Sequence, residues 1–107
     1  MNPGRFTARG GLEIETKIAA IMRSVQSALG RVLLEREYVA VVLLGGYGRG
    51  EGGVVVEGDV ERPHNNFDLL VITRPGADET QLEIRVERAL HPLIVEHGIG
   101  MDVGMIP

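Results

Sequence analysis

The chain has 107 residues, enough for one domain with a hydrophobic core but little more. Apolar residues make up 44% of it and charged residues 24%, proportions that are typical of a folded soluble protein. The net charge of -4, without a block of Lys or Arg, excludes a protein that coats nucleic acid, although an acidic protein can still bind a nucleotide. The sequence contains no cysteine, which excludes disulfides, thiolate metal sites and cysteine nucleophiles.

The N-terminal residues do not resemble a signal peptide. The N-terminus lacks the apolar segment of a signal peptide, and no apolar run approaches the length of a membrane span. We therefore expect a cytoplasmic protein with no membrane partner. Residues 1–11 contain Pro3 and several glycines and are predicted to be a loose N-terminal lead-in, whereas residues 12–107 are predicted to form the folded domain.

The first predicted element is a long amphipathic helix from Leu12 to about Tyr38. Its apolar positions recur in steps of three and four and so mark one helix face. They are Ile14, Ile18, Ile21, Val25, Leu29 and Val32. Gly30 lies inside this pattern and either splits the helix or allows close packing. Residues 39–44 follow as an apolar run without alternation, which predicts a strand buried on both faces.

The middle of the chain is predicted to be a loop, a hairpin and a second central strand. Residues 45–53 are rich in glycine and predict a loop, which has room for one helical turn. Residues 54–60 predict a short hairpin or edge strand that turns at Gly58 and Asp59. After turn-forming residues 63–66, residues 67–73 predict a strand that ends before Pro75.

The last third of the chain is predicted to be a helix and a third strand. Asp78 with Gln81 is similar to a capping box, and Pro92 predicts a kink or a new start near His91. Residues 101–106 predict a strand that carries Asp102. The element order predicts a single compact α/β (α+β) domain, a mixed sheet with its helices largely on one side.

Three common glycine motifs do not apply to this sequence once the neighbouring residues are considered. A P-loop ends in Gly-Lys-Ser or Gly-Lys-Thr, which the sequence lacks. Gly48-x-Gly50-x-x-Gly53 fits the dinucleotide fingerprint, but residues 54–56 continue as a strand where a helix would hold the pyrophosphate. The same glycines fit the kinase glycine loop, but the chain is too short for a kinase and has no His-Arg-Asp or Asp-Phe-Gly. We interpret both matches as accidental.

A different arrangement of residues survives these tests. A strand runs into Gly45-Gly46, Asn66-x-Asp68 opens a second strand, and Asp102 lies on a third. The period of two along a strand places Asn66 and Asp68 on one face. Carboxylate and amide oxygens are ligands for Mg²⁺. Two such groups facing a glycine-rich turn suggest a site for a phosphate that is held through magnesium.

In this order, residues 39–106 resemble the nucleotidyltransferase superfamily related to DNA polymerase β, and in size its minimal nucleotidyltransferase domains. Members carry an apolar residue and two small residues after the first strand, a carboxylate–apolar–carboxylate motif on the second, and a carboxylate on the next. The corresponding segments are Leu44-Gly45-Gly46, Asn66-Phe67-Asp68 and Met101-Asp102-Val103. Arg49-Gly50 matches an Arg-Gly pair that minimal members often carry after the glycines.

The resemblance implies a sheet of the nucleotidyltransferase type and a specific activity. The activity is transfer of a nucleoside monophosphate from ATP or another nucleoside triphosphate to a hydroxyl acceptor, with Mg²⁺ or Mn²⁺. The residues implied as catalytic and metal-binding are Asp68, Asp102 and Asn66, and those implied to hold the triphosphate are Gly45, Gly46 and Arg49. Two ions about 3.5–4 Å apart hold the attacking and leaving oxygens in such sites. The acceptor implied is a protein side chain, an RNA end or a small molecule such as an aminoglycoside.

The sequence departs from the family at Asn66, which replaces the first carboxylate. A neutral amide oxygen predicts weaker metal binding and a single ion, unless Glu57, Asp59 or Glu61 of the inserted hairpin supplies the missing charge. The alternative function is therefore a catalytically inactive domain of the same fold, a regulatory module that binds a nucleotide or a protein. Minimal members act with helical partner proteins, so the resemblance implies a helical partner, a missing C-terminal helical domain or a homo-oligomer.

Each motif also has a purely structural interpretation. Asn66 fits a turn, Asp102 a surface position at a strand end, and Arg49 an exposed ion pair with Glu51. Tyr47 either stacks on a base or covers the glycine loop, and we favour the loop. The remaining candidates are three histidines. His64 is a loop residue or a phosphate contact, and His91 and His97 lack the spacing of a helical metal site.

Overall fold

The computed structural model describes residues 4–107, in which two long helices pack on one face of a three-stranded sheet. The elements in chain order are α1 (Leu12–Val32), β1 (Tyr38–Leu44), α2 (Gly45–Gly48), β2 (Val54–Glu57), β3 (Val60–Pro63), β4 (Phe67–Thr73), α3 (Glu79–His97) and β5 (Met101–Ile106). The strand order in the sheet is β1-β4-β5. β1 is antiparallel to β4 and β4 is parallel to β5, which confirms the predicted mixed sheet and α+β class.

The core lies between the sheet and the two long helices. α3 connects the parallel strands β4 and β5, as a crossover helix must, and α1 packs against α3. β4 supplies Phe67, Leu69 and Val71 to the core, every second residue of the strand. The residues that α1 buries include five of its six predicted apolar positions, Ile14, Ile18, Ile21, Val25 and Leu29. Periodicity therefore identified the buried faces correctly.

Helix α1 ends at Val32, earlier than the predicted limit near Tyr38. The Glu37 amide donates to Leu34 O at 2.8 Å, so the chain turns here into β1. Arg85 of α3 satisfies the helix end, donating to Val32 O at 2.7 Å and pairing with the Glu37 carboxylate. Gly30 lies inside the helix, and a Cβ there would have no neighbour within 4 Å. Neither splitting nor close packing therefore accounts for this glycine.

Helix α3 begins as predicted but is not interrupted. The Asp78 side chain accepts from the Gln81 amide at 3.2 Å, which confirms the predicted cap. The helix continues through Pro92 to His97, so the predicted new start near His91 is wrong. The missing proline N–H costs one bond, while buried Leu90 and the helix packing hold the adjoining turns. Gly98, at φ +67°, ends the helix.

Strand β1 differs from its prediction. It lies at an edge of the sheet and is not buried on both faces, since Val39 is 57% and Leu44 42% exposed. Val39 lies at a bulge between the paired residues Tyr38 and Ala40. The apolar run does not alternate because both faces of this sheet are apolar, although the helices cover only one of them.

The predicted hairpin is present as β2 and β3, with Gly58 at φ +63° in its turn, but it is longer than predicted: its second strand runs to Pro63, which pairs with Val54 and was predicted to begin a turn. The N-terminal segment is held more firmly than the expected lead-in. Thr7 pairs with Gly52 and is fully buried. The Glu15 carboxylate accepts from the amides of Phe6 and Thr7 at 2.7 and 2.8 Å, and this helix residue gives the segment its anchor. Residues 1–3, at the start of the expected lead-in, lie outside the described residues.

Candidate functional site

The strand register brings two of the predicted carboxylates side by side. Asp68 on β4 is the direct partner of Asp102 on the parallel strand β5, and both residues are exposed. On the other side of β4, Leu44 at the end of β1 is paired with Asp68. The glycine loop therefore begins at the row of the sheet that carries both carboxylates. Adjacent strands lie about 4.8 Å apart, a spacing at which two carboxylates can share one cation.

Gly45 lies directly against the Asp68 side chain. A Cβ at this position would be 2.8 Å from Asp68 Oδ2, and the backbone has φ +69°. Both the close approach and the left-handed conformation favour glycine here. The predicted glycine loop and the predicted carboxylate therefore form one structural unit.

Asn66 reaches the same site from the residue before β4. Its Nδ2 donates to Asp102 Oδ2 at 3.4 Å, and a Cβ at Gly100 would lie 2.6 Å from Asn66 Oδ1. Gly100 thus makes room for the Asn66 amide beside Asp102. Gly100 was not among the predicted site residues, although a glycine directly before a strand signals close contact. The structure brings Asn66, Asp68 and Asp102 together, as the sequence predicted.

Tyr47 organises the glycine loop from the inside. The residue is 2% exposed, and its ring meets the Phe67 ring edge to face at 4.9 Å between centroids. Its hydroxyl donates to Gly53 O at 2.8 Å and accepts from the Asn65 amide at 3.0 Å. The interpretation that Tyr47 covers the loop is confirmed. The loop conformation beside Asp68 thus rests on a buried aromatic residue and its two hydrogen bonds.

Arg49 forms an exposed ion pair with Glu51, at 3.5 Å from Nε to Oε2. This ion pair is the contact that the purely structural interpretation of Arg49 predicts. A pair of this exposure contributes at most about 1 kcal/mol. The guanidinium can therefore exchange Glu51 for a phosphate group at little cost.

The hairpin carboxylates do not replace the carboxylate that Asn66 lacks. Glu57 pairs with Arg62 at 3.4 Å, and Glu61 accepts from the Gly11 amide at 2.9 Å. Asp59 lies exposed in the hairpin turn. Within residues 4–107, no group of three His, Cys, Asp or Glu side chains could hold a metal ion. The charged ligands that the candidate site offers a cation beside Asn66 are therefore Asp68 and Asp102.

The histidines have ordinary structural surroundings. The His64 amide donates to Gly53 O at 3.0 Å beside the glycine loop, and the His64 side chain is exposed. His91 and His97 lie on α3, in the helix layer that packs on the opposite face of the sheet from Asp68. We place none of the three in the candidate site.

The donor set fits one hard divalent cation better than two. Mg²⁺ is often bound through one or two carboxylates, with water and phosphate oxygens completing its octahedron. Asp68 and Asp102 meet that requirement, and the Asn66 amide adds a neutral oxygen. A site for two ions normally has further carboxylates to balance the charge. The site therefore offers ligands for one ion and not for two.

Two general properties of the chain complete the description. None of the helices formed by residues 4–107 is long and apolar enough to cross a membrane. Comparisons with protein-family models, curated proteins and solved structures found no match for this chain.

Proposed function

We propose that this chain is a nucleotidyltransferase-like domain that binds a nucleoside triphosphate with one Mg²⁺ and transfers its nucleoside monophosphate to a hydroxyl acceptor. The observation that supports this most is the register of Asp68 with Asp102, with Gly45 packed against Asp68. The order of these parts along the chain is that of the superfamily named above. As part of the same proposal, we expect the protein to act in the cytoplasm.

Each residue of the site has a role in this proposal. Asp68 and Asp102 bind the ion, with Asn66 as a neutral third ligand. Gly45 and Gly46 allow the backbone close to the triphosphate, because no Cβ stands in the way. Arg49 leaves Glu51 and binds a phosphate oxygen. When bound, Mg²⁺ stabilises the negative charge that develops on the phosphate oxygens.

A specific observation favours the second candidate, an inactive domain that binds a nucleotide or a partner protein as a regulatory module. The Asn66 amide directs an N–H donor at Asp102, and Glu57 and Glu61 have partners on the hairpin. A site with two carboxylates holds less positive charge near the reacting phosphate than one with three. Binding without turnover is the outcome that this arrangement would give.

The test is a calorimetric titration of the purified protein with ATP, CTP, GTP and UTP, with and without Mg²⁺ or Mn²⁺. We expect metal-dependent binding that Asp68→Ala abolishes and that Asn66→Asp strengthens by about tenfold, the effect of adding about 1.4 kcal/mol of interaction with the ion. Asp59→Ala, which removes an exposed carboxylate from the hairpin turn, is the matched control and should leave binding unchanged.

The titration tests the site, and turnover separates the two candidates. Metal-dependent binding by the wild type justifies a search for a hydroxyl acceptor, and binding without release of pyrophosphate in the presence of any acceptor would support the inactive module. Binding by Asn66→Asp alone would show that the wild type has lost the nucleotide site and would leave an inactive module with a protein partner. Absence of binding in every version would refute the nucleotide site and leave the fold unaffected.

A further inference from the structure

The face of the sheet opposite the helices is built from three aligned rows of residues. The first row is Leu44, Asp68 and Asp102, the second is Val42, Leu70 and Gly104, and the third is Ala40, Ile72 and Ile106. We call these nine residues the open face. Its first row carries the two carboxylates of the candidate site, and its other rows are entirely apolar.

No layer of the described chain covers the open face. The side chains that pack with the core come from the alternate positions of the strands, such as Val41, Leu69 and Val103. On the open face, Leu44 is 42% and Ile106 45% exposed, and Val42, Leu70 and Ile72 are half-buried. An exposed sheet face normally carries polar side chains. The composition of the open face is that of an interface.

The two ends of the open face carry opposite charge. Asp68 and Asp102 lie at one end, and Arg74 follows β4 at the other. The Arg74 amide donates to Glu37 O at 2.9 Å, which continues the pairing with the segment before β1, and its Nε donates to Glu35 O at 2.7 Å. Arg36 lines the same shallow depression as Arg74. Every second residue along β4 faces the open side of the sheet. These residues are an acid at position 68 and apolar residues at 70 and 72, and the next position in the series, 74, is a base directly after the strand.

When two copies of the open face meet with their strands antiparallel, the acidic end of each lies over the basic end of the other. We propose that the open face binds the open face of a second copy of this chain, around a two-fold axis that lies between the sheets and crosses the strands. This symmetry makes β4 of one copy antiparallel to β4 of the other, so Asp68 of each copy faces Arg74 of the second copy. A two-fold axis along the strands would instead oppose Asp68 to Asp68 and is disfavoured by repulsion between like charges.

The size of the open face determines how stable this dimer is. Three strands about 4.8 Å apart and six to seven residues long form a face of roughly 15 by 20 Å. This is well below the roughly 800 Å² per partner of a standard stable interface. We therefore expect a weak dimer that forms with rising protein concentration. The dimer proposal does not depend on nucleotide binding and stands if the candidate site proves inactive.

The test uses charge reversal at the two ends of the face. Sedimentation of the wild type from about 5 µM to about 500 µM should show a monomer–dimer equilibrium. Asp68→Arg and Arg74→Asp should each be monomeric, because every contact then joins like charges. An equimolar mixture of the two variants should dimerise again, because each introduced charge meets its opposite in the mixed pair. Circular dichroism confirms that both variants are folded.

Ile106→Glu provides a further variant in the apolar rows, at a residue of the edge strand β5 that is already 45% exposed, and should also abolish the dimer. A wild type that is monomeric throughout the concentration range would overturn the proposal and indicate a partner of different sequence. A dimer that survives all three substitutions would place the contact on another surface. Monomeric single variants that stay monomeric when mixed would refute the proposed antiparallel arrangement.

Discussion

The glycine loop next to the candidate site is held by the side chain of one residue, Tyr47. Its ring fills the space over Gly52, where an added Cβ would lie 1.9 Å from the ring. Its hydroxyl joins the loop to the turn before β4, through Gly53 O and the Asn65 amide. Each hydrogen bond between a buried hydroxyl and the backbone makes a modest net contribution to the stability of the fold.

We predict that Tyr47→Phe lowers the free energy of unfolding by about 0.5–1.5 kcal/mol, since two hydrogen bonds are lost, although Gly53 O keeps the bond from the His64 amide and Asn65 is exposed to water. Urea denaturation followed by circular dichroism measures the change. Tyr38→Phe is the matched control, because Tyr38 is the other tyrosine of the chain and lies half-buried against the same core. The control should change stability by less than about 0.5 kcal/mol. Equal effects of the two substitutions would contradict the role assigned to the Tyr47 hydroxyl.

The residues of the candidate site could be named from the sequence, but their contacts could not. The alternation of a strand and the glycine pair identified Asp68 and Gly45 as neighbours of a turn. That Asp68 faces Asp102 depends on the parallel pairing of β4 with β5 across the α3 crossover. That Asn66 points an amide N–H at Asp102 depends on the space over Gly100. Neither of these two contacts is encoded by the local sequence pattern.

At the scale of elements, the N-terminal segment joins α1 to the glycine loop. Thr7 pairs with Gly52 on one side and with the Glu15 carboxylate on the other. Arg5 lies 3.8 Å from Glu15 and donates to Gly10 O. Although burial alone would raise the pKa of Glu15, hydrogen bonds from the Thr7 hydroxyl and from the amides of Phe6 and Thr7 lower it. On the α1 side, the N-terminal segment is thus held by the ionised carboxylate of Glu15.

The lowered pKa of Glu15 gives a prediction with a definite sign. Its stabilisation is fully present above the ordinary value of 4.5 and is lost as the pH falls through the lower value of the folded state. Glu15→Gln should therefore cost about 1–2 kcal/mol at pH 7, and the difference from the wild type should narrow in acid. Urea denaturation across a pH series measures both effects.

Glu13→Gln is the control for this experiment, because it removes the same charge from an exposed position in the same first turn of α1. It should cost less than about 0.5 kcal/mol. Hydrogen exchange at the amides of Phe6 and Thr7 should accelerate in Glu15→Gln and not in Glu13→Gln. A pH-independent difference between Glu15→Gln and the wild type would show that the carboxylate charge does not hold the segment.

At the scale of the whole molecule, the sheet has one covered face and one open face, and the candidate site lies on the open one. The two proposals therefore share Asp68 and Asp102. A cation that binds this pair and a second copy that opposes Asp68 with Arg74 compete for the same carboxylates. Linkage requires that each weakens the other by the same factor.

We predict that Mg²⁺ or Mn²⁺ shifts the monomer–dimer equilibrium towards the monomer. Sedimentation of the wild type in increasing MgCl₂, against NaCl of equal ionic strength, separates specific binding from screening of the ion pairs. Asn66→Asp, expected to bind the ion more tightly, should dissociate at a lower Mg²⁺ concentration. A dimer that responds equally to both salts would show that cation binding and dimer formation are independent.

The sequence by itself determined the elements and their buried faces. The periods of 3.6 and 2 identified α1, α3 and β4, and turn chemistry located the hairpin at Gly58 and the cap at Asp78, because these signals depend on near neighbours in the chain. It could not determine that β1 lies at an edge, since an apolar run looks the same under a covering layer and beside an open face. Tertiary structure alone decided the register of Asp68 with Asp102 and the contact of Asn66 with Asp102 over Gly100, because strand pairing and packing join residues that are distant in sequence.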